Sequence, residues 1–247
     1  MQQEWPAGGP ADGVNEAERI LQLIEGRRSV RGYLDRPVPR MIIERLLAVA
    51  SRAPSGNNMQ PWRIHVVTGD TKERLIAAIA AARGGGEPDP PLEYRYAPAD
   101  LPVPYRERRR EVGWALYQLL GIEKGDLTGA RAWQDRNLTF FGAPVGMILT
   151  LDRRLGVGAF MDCGLFLQGL AIGARAVGLE TCFQVVFAAQ HDAIRQVLAL
   201  PDHEMVVCGI ALGYENLEEV ANRLRTTRSP VSEFAVFHDG AGSPPER

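Results

Sequence analysis

The sequence predicts one α+β domain, in which helices surround a small sheet. Apolar residues recur at helical spacing through much of the chain, while only a few short runs have the β-branched or continuously apolar texture of strands. With 247 residues the chain could form one large domain or two small ones, but no linker divides it cleanly and no internal repeat shows. Hydrophobic content of 45% with 23% charged residues is that of a globular protein with a packed core.

From Val14 to about Gly26, Ile20, Leu21, Leu23 and Ile24 give an amphipathic helix ending at a glycine, just before the arginines of RRSVRGY. Pro39 opens a second helix, buried through Ile42, Ile43, Leu46, Leu47 and Ala50 and running to about Arg52. The loop APSGNNMQPW follows. Alternating WRIHVVT, Trp62 to Thr68, is a strand, with Trp62 expected in the core where it begins. A helix from Asp70 to Arg83 is then capped by Asp70 or Thr71. Residues 84–105 hold three consecutive glycines, six prolines, Tyr94, Tyr96 and Tyr105, and read as an irregular insertion, either a lid over a pocket or a surface excursion.

Helices resume over 106–120 and 124–139. Pro144 to Leu151 is a central strand and Gly158 to Val177 a core helix, too polar at Asp162 and Gln168 to span a membrane. A strand from Thr181 to Phe187, a short helix from His191 to Leu198 and a strand from Glu204 to Leu212 complete the domain. It is expected over 14–238, between a loose N-terminal tail, 1–13, and a C-terminal tail, 239–247.

A formal net charge of −2 argues against a nucleic-acid or anionic-membrane surface as the main partner. YRERRR, 105–110, has the look of a nucleic-acid patch only in isolation; Glu107 and Glu111 interleave it, which fits a solvated helix face. Cys163, Cys182 and Cys208 form neither a disulfide framework nor a metal motif, and the N-terminus lacks a basic region followed by an apolar core, so a cytoplasmic location is expected. No GxSxG, Walker loop, HExxH or GxGxxG motif occurs, and the four histidines lack ligand spacing. No metal site and no catalytic side chain are expected.

One ordered set of motifs remains: RRSVRGY, SRAPSGNNMQPW, GLETCFQ and NRLRTTRSPVSEF. Together they resemble the FMN-dependent nitroreductase family over about residues 20–238, and YRERRREVGWALYQLLGIEKGD with FFGAPVG resembles its nitrobenzoate-reductase-like subgroup. The resemblance implies a central, mostly antiparallel sheet surrounded by helices in an intertwined homodimer, with an FMN site shared across the interface. A phosphate dianion, a polar pyrimidine edge and a flat ring call for cationic forks, amides and close backbone approach, and these motifs supply all three.

Residue by residue, the resemblance assigns Arg27 and Arg31 to phosphate or ribityl oxygens and Ser29 to the pyrimidine edge, with Arg28 placed by its backbone and Arg36 outside the site. Pro54, Ser55, Gly56 and Asn58 reach the flavin of the partner subunit, joined by Gln60. Backbone amides at Glu180 and Thr181 lie beside the flavin N5, where an N–H meets the charge that hydride brings. Cys182 is a structural thiol. Arg228, with Arg225, forms the second phosphate clamp. The implied activity is ping-pong transfer of hydride from NADH or NADPH, through FMN, to a small nitroaromatic compound, nitrobenzoate-like ones included, or a quinone. Two other readings stay open: a reductive dehalogenase or flavin-consuming enzyme of the same fold, and a non-catalytic FMN-binding regulator.

Overall fold

A computed structural model describes residues 15–84 and 90–238. Both expected tails and part of the insertion lie outside the described residues. In chain order the elements are α1 (Glu16–Glu25), α2 (Arg40–Ala50), β1 (Arg63–Val67), α3 (Gly69–Arg83), α4 (Val103–Leu119), α5 (Leu127–Asp135), β2 (Val145–Asp152), α6 (Gly158–Ala176), β3 (Glu180–Gln184), α7 (His191–Leu198) and β4 (Glu204–Gly213). The strands form one antiparallel sheet in the order β1-β2-β4-β3.

Alternation along β2 explains how the layers stack. Val145, Met147, Leu149 and Leu151 face one core with Leu46 of α2 and Phe166 and Leu170 of α6. Ile148 faces the other, with Leu75 and Ile79 of α3, Ile194 of α7, Phe140 and Phe187. Helices thus cover both faces, so β4 is buried along its whole length despite its antiparallel pairing. Phe140 and Phe187 stack with centroids 4.4 Å apart. The sheet makes room for them at Gly146 and Gly209, where an added Cβ would come within 2.7 Å and 2.3 Å of the respective rings. Burying a phenylalanine this fully contributes roughly 1.5–3 kcal/mol.

Several boundaries differ from the sequence reading. The third strand ends at Gln184, and Val185–Gln190 forms a 3-10 turn that turns Phe187 into the core. The expected helix over 124–139 is α5 followed by a kinked 3-10 stretch, Arg136–Gly142, with Phe140 and Phe141 both at φ 53°. Neither Asp70 nor Thr71 caps α3, which starts at Gly69 without a side-chain cap. At the insertion's far end, residues 103–105 already belong to α4.

The insertion's tyrosines divide. Tyr94 is half-buried and donates its hydroxyl to Val207 O at 2.7 Å. Beside it Glu93 accepts from Arg153 Nη2 at 2.8 Å and from the Val206 N–H at 3.0 Å. This segment is a strap fixed to the start of β4, and only Tyr96 and Tyr105 are exposed. Among the described residues no helix is long and apolar enough to cross a membrane, and no group of three or more His, Cys, Asp and Glu could hold a metal.

Candidate cofactor site

The arginine loop gets its shape from the edge of the sheet. After α1 closes at Gly26, the chain runs along the outer side of β3, where the Val30 N–H donates to Thr181 O at 3.1 Å. Tyr33, buried, donates its hydroxyl to Val30 O at 2.9 Å, and the Leu34 N–H reaches Tyr214 O at 2.9 Å. The loop therefore covers a strand edge that would otherwise be bare, while its guanidiniums project from a fixed backbone.

Those guanidiniums fall into two sets. Arg28 is ion-paired with half-buried Glu215, Arg36 lies 3.9 Å over the ring of Tyr214, and Arg136 pairs with Glu219 at 2.7 Å. Arg27, Arg31, Arg225 and Arg228 have no carboxylate within salt-bridge distance among the described residues. Arg31 donates to Ser29 O at 3.3 Å, Arg225 to Asn222 O at 2.8 Å, and Arg228 to Thr226 Oγ1 and Thr227 O, each at 2.8 Å. Arg27 and Arg228 come from opposite ends of the chain and still repel each other. Burial first, and the charge of Arg228 second, lower Arg27 below the ordinary arginine pKa. Concentrated positive charge without a salt-bridge partner is what a compact dianion requires. Arg225 and Arg228 also wall a cleft of about 1150 Å³ between α4 and the segment 224–234, together with Tyr105 and Phe234.

Glu180 and Thr181 sit beside this cluster, but the Glu180 side chain is engaged elsewhere. Glu180 is ion-paired with Arg175 near the end of α6; burial raises its pKa, and Arg175, Arg28 and Arg27 oppose that rise. Thr181 is buried, and its carbonyl receives the Val30 N–H. Burial pushes the Cys182 thiol up to about 11, partly countered by Arg31, Ser29 and Arg27, which fits an inert structural thiol.

The second candidate loop lies elsewhere. Asn57, Asn58 and Gln60 take the left-handed conformation at φ 49°, 59° and 50°, tolerable for asparagine and costly for glutamine. The Gln60 N–H donates to Ser55 Oγ at 3.0 Å and its side-chain amide to Asn58 O at 3.2 Å. Buried Asp162 of α6 receives the Gly56 N–H at 3.2 Å. Pro54, Gly56, Asn58 and Gln60 are exposed and Ser55 is half-buried. A Cβ on Gly56 would meet nothing nearer than Met59 Cε at 3.5 Å, so nothing inside the subunit requires glycine there.

Within one chain the two halves of the predicted site are far apart. The loop is tied to α6 at Asp162, whereas the arginine cluster abuts α6 at Arg175, which donates to Leu23 O at 3.1 Å. At about 1.5 Å per residue, roughly 20 Å of helix separates these positions. The loop also leads into β1 and the arginines line β3, the opposite edges of the sheet. The packed sheet and α6 lie between them.

Sequence reasoning missed the residues that hold the site's framework. Asp162 had a signal, being the one carboxylate in the apolar run GAFMDCGLFLQGLAIG. Glu215, Arg175 and Asn222 had none beyond ordinary polar identity; their roles exist only in contact. Two buried atoms near the arginine loop and β3, Arg28 Nε and Gln184 Oε1, lack hydrogen-bond partners among the described residues. Arg28 Nε belongs to a guanidinium already held by Glu215.

The fold is α+β, a four-stranded antiparallel sheet between helices, with arginines from distant parts of the chain beside one edge. The chain belongs to the nitroreductase family, whose model matches residues 24–214. It is 41% identical to the chloronitrobenzene nitroreductase of Comamonas testosteroni, over 88% of this chain and 96% of that protein. Identity is 40% to the 4-nitrobenzoate reductase of Pseudomonas putida, over 87% and 93%. The crystal structure of the FMN and NADPH-dependent nitroreductase NfnB from Sphigopyxis sp. strain HMH superposes with a TM-score of 0.85 at 35% identity, covering 90% of this chain and 99% of that one.

Proposed function

We propose that the protein is an FMN-dependent NAD(P)H oxidoreductase that reduces small nitroaromatic compounds, acting in the cytoplasm as a homodimer. The observation that carries this reading is the approach of Arg27 and Arg228, neither of which forms a salt bridge among the described residues and whose mutual repulsion Glu180 only partly offsets. Relatives named as nitrobenzoate and chloronitrobenzene reductases support the substrate class, and a neighbour named for FMN and NADPH supports the cofactor and the donor. When bound, FMN supplies the hydride-accepting and hydride-donating chemistry that no side chain here provides.

The chain's own residues bind and orient. Arg27, Arg31, Arg225 and Arg228 hold the phosphate end, and Ser29 adds a hydroxyl. The backbone at Glu180 and Thr181 lies along the same edge. Pro54, Ser55, Gly56, Asn58 and Gln60 complete the site from the partner subunit, which the roughly 20 Å separation along α6 calls for. The same helix, with the residue just before it, offers a surface for that partner: Val157, Met161 and Leu165 are 88%, 68% and 42% exposed at intervals of four residues. An apolar stripe of this kind on a core helix is suited to burial against a second copy.

The purified protein is expected to be yellow, to bleach on anaerobic addition of NADPH or NADH, and to recover colour on addition of 4-nitrobenzoate or nitrobenzene. A colourless protein that takes up no FMN would overturn the reading. Bound flavin that neither nucleotide bleaches would leave a flavin-binding protein and no reductase.

A further inference from the structure

One neutral side chain joins the two arginine arms. Asn222 lies in the 3-10 turn Val220–Arg223 and is 4% exposed. Its Oδ1 accepts the Arg31 N–H at 2.6 Å, and its Nδ2 donates to Gly32 O and to Asn216 O, both at 2.9 Å. Its own carbonyl accepts from Arg225 Nη1 at 2.8 Å. Both amide hydrogens are in use and the oxygen already accepts one bond, and the side chain is buried, so it is engaged within the fold.

We infer that Asn222 is a positioning residue for the cofactor phosphate: it sets the spacing between the Arg27–Arg31 arm and the Arg225–Arg228 arm without touching the flavin. The inference rests on the proposed phosphate clamp. Asn222 bonds to Arg31 through its side chain and to Arg225 through its carbonyl, so it ties together two arms whose like charges, at Arg27 and Arg228, disfavour each other. Its chemistry is restricted. A carboxylate at 222 would neutralise the clamp and compete with phosphate. An apolar residue would leave the Arg31 N–H and the Gly32 and Asn216 carbonyls short of a partner in a buried setting. A neutral amide avoids both problems. The nearby carboxylates Glu215 and Glu219 are already held by Arg28 and Arg136, which preserves the arms' net positive charge.

Riboflavin, which is FMN without its phosphate, separates positioning of the clamp from general stability. Binding of FMN and of riboflavin to the flavin-stripped full chain is measured by fluorescence quenching for the wild type, Asn222→Ala and Arg27→Ala, with thermal melting alongside. The wild type is expected to prefer FMN strongly. Asn222→Ala is expected to weaken FMN by about tenfold or more while riboflavin changes little, so the preference collapses toward that of Arg27→Ala. Retention of the full preference by Asn222→Ala overturns the inference. So does an equal loss for both ligands in step with melting temperature, the signature of a merely structural role. A wild type with no preference for FMN defeats the clamp itself, and the inference with it, which Arg27→Ala would show independently. If Asn222→Ala does not fold, Asn222→Ser, which keeps an acceptor for the Arg31 N–H, is read by the same ratio.

Discussion

Arg27 and Arg228 stand at opposite ends of the chain, yet the charge of one lowers the pKa of the other. Burial and the like charge of Arg228 disfavour the Arg27 cation, Glu180 offsets this in part, and an anion between the two guanidiniums would offset it further. Arg28, adjacent to Arg27, has the opposite arrangement, with its guanidinium already committed to Glu215.

That contrast predicts a separation of effects. Arg27→Ala and Arg228→Ala should each weaken FMN by about 1.5–3 kcal/mol, ten- to a hundredfold, with little change in the melting temperature of the flavin-free protein. Arg28→Ala should instead destabilise the fold by about 2–3 kcal/mol, because it leaves Glu215 largely buried without its partner. Flavin titration beside thermal denaturation distinguishes the two; equal melting losses for Arg27 and Arg28 variants would contradict it.

The separation of the Gly56 loop from the arginine cluster predicts that quaternary structure and flavin content are lost together. A charge placed on the exposed stripe of α6, as in Leu165→Glu, should yield a monomer that has lost most of its FMN. Light scattering coupled to absorbance at the flavin band tests this. A monomer with full flavin occupancy would rule out a site shared between subunits.

Acid stability should depend on Glu204, a carboxylate 2% exposed at the end of the sheet. Burial pushes its pKa up, but the Thr150 hydroxyl at 2.6 Å, His65 at 2.8 Å and the charge of Arg63 more than reverse this, so the folded value lies below the ordinary one. The sign follows directly. The stabilisation is fully present above the unfolded value, near pH 4.3, and is lost as the pH falls through the lower folded value. Urea midpoints between pH 3 and 7 should show this acid limb in the wild type and a shallower one in Glu204→Gln. Identical slopes would exclude Glu204 as its source.

Tyr94 predicts a stability effect without a catalytic one. Removing its bond to Val207 O in Tyr94→Phe should cost about 1 kcal/mol and leave turnover and substrate preference unchanged. A changed substrate profile would show instead that the strap reaches the pocket.

Much of the fold was legible because its signals are local. Ile43, Leu46 and Ala50 repeat at helical spacing and are the buried face of α2. The apolar run from Val145 is a central strand. Phe187 misled, since a run of apolar residues after Gln184 continues the strand pattern while the chain itself turns to fill the space above Gly209. The candidate site was legible as a set of motifs, with RRSVRGY and NRLRTTRSP marked by charge and APSGNNMQPW by turn residues. How the motifs pair was not.

By itself the sequence determined the helical and strand segments, the balance of charge and the presence of four separated polar motifs, because hydrophobic periodicity and turn chemistry act over a few residues. Only the tertiary structure decided that Arg27 comes within range of the charge of Arg228 while Arg28 is ion-paired with Glu215, that Glu180 is ion-paired with Arg175, and that Asn222 accepts from both Arg31 and Arg225. Those relationships connect residues far apart in the chain, and identical arginines differ in role solely through the charge and burial that folding puts around them.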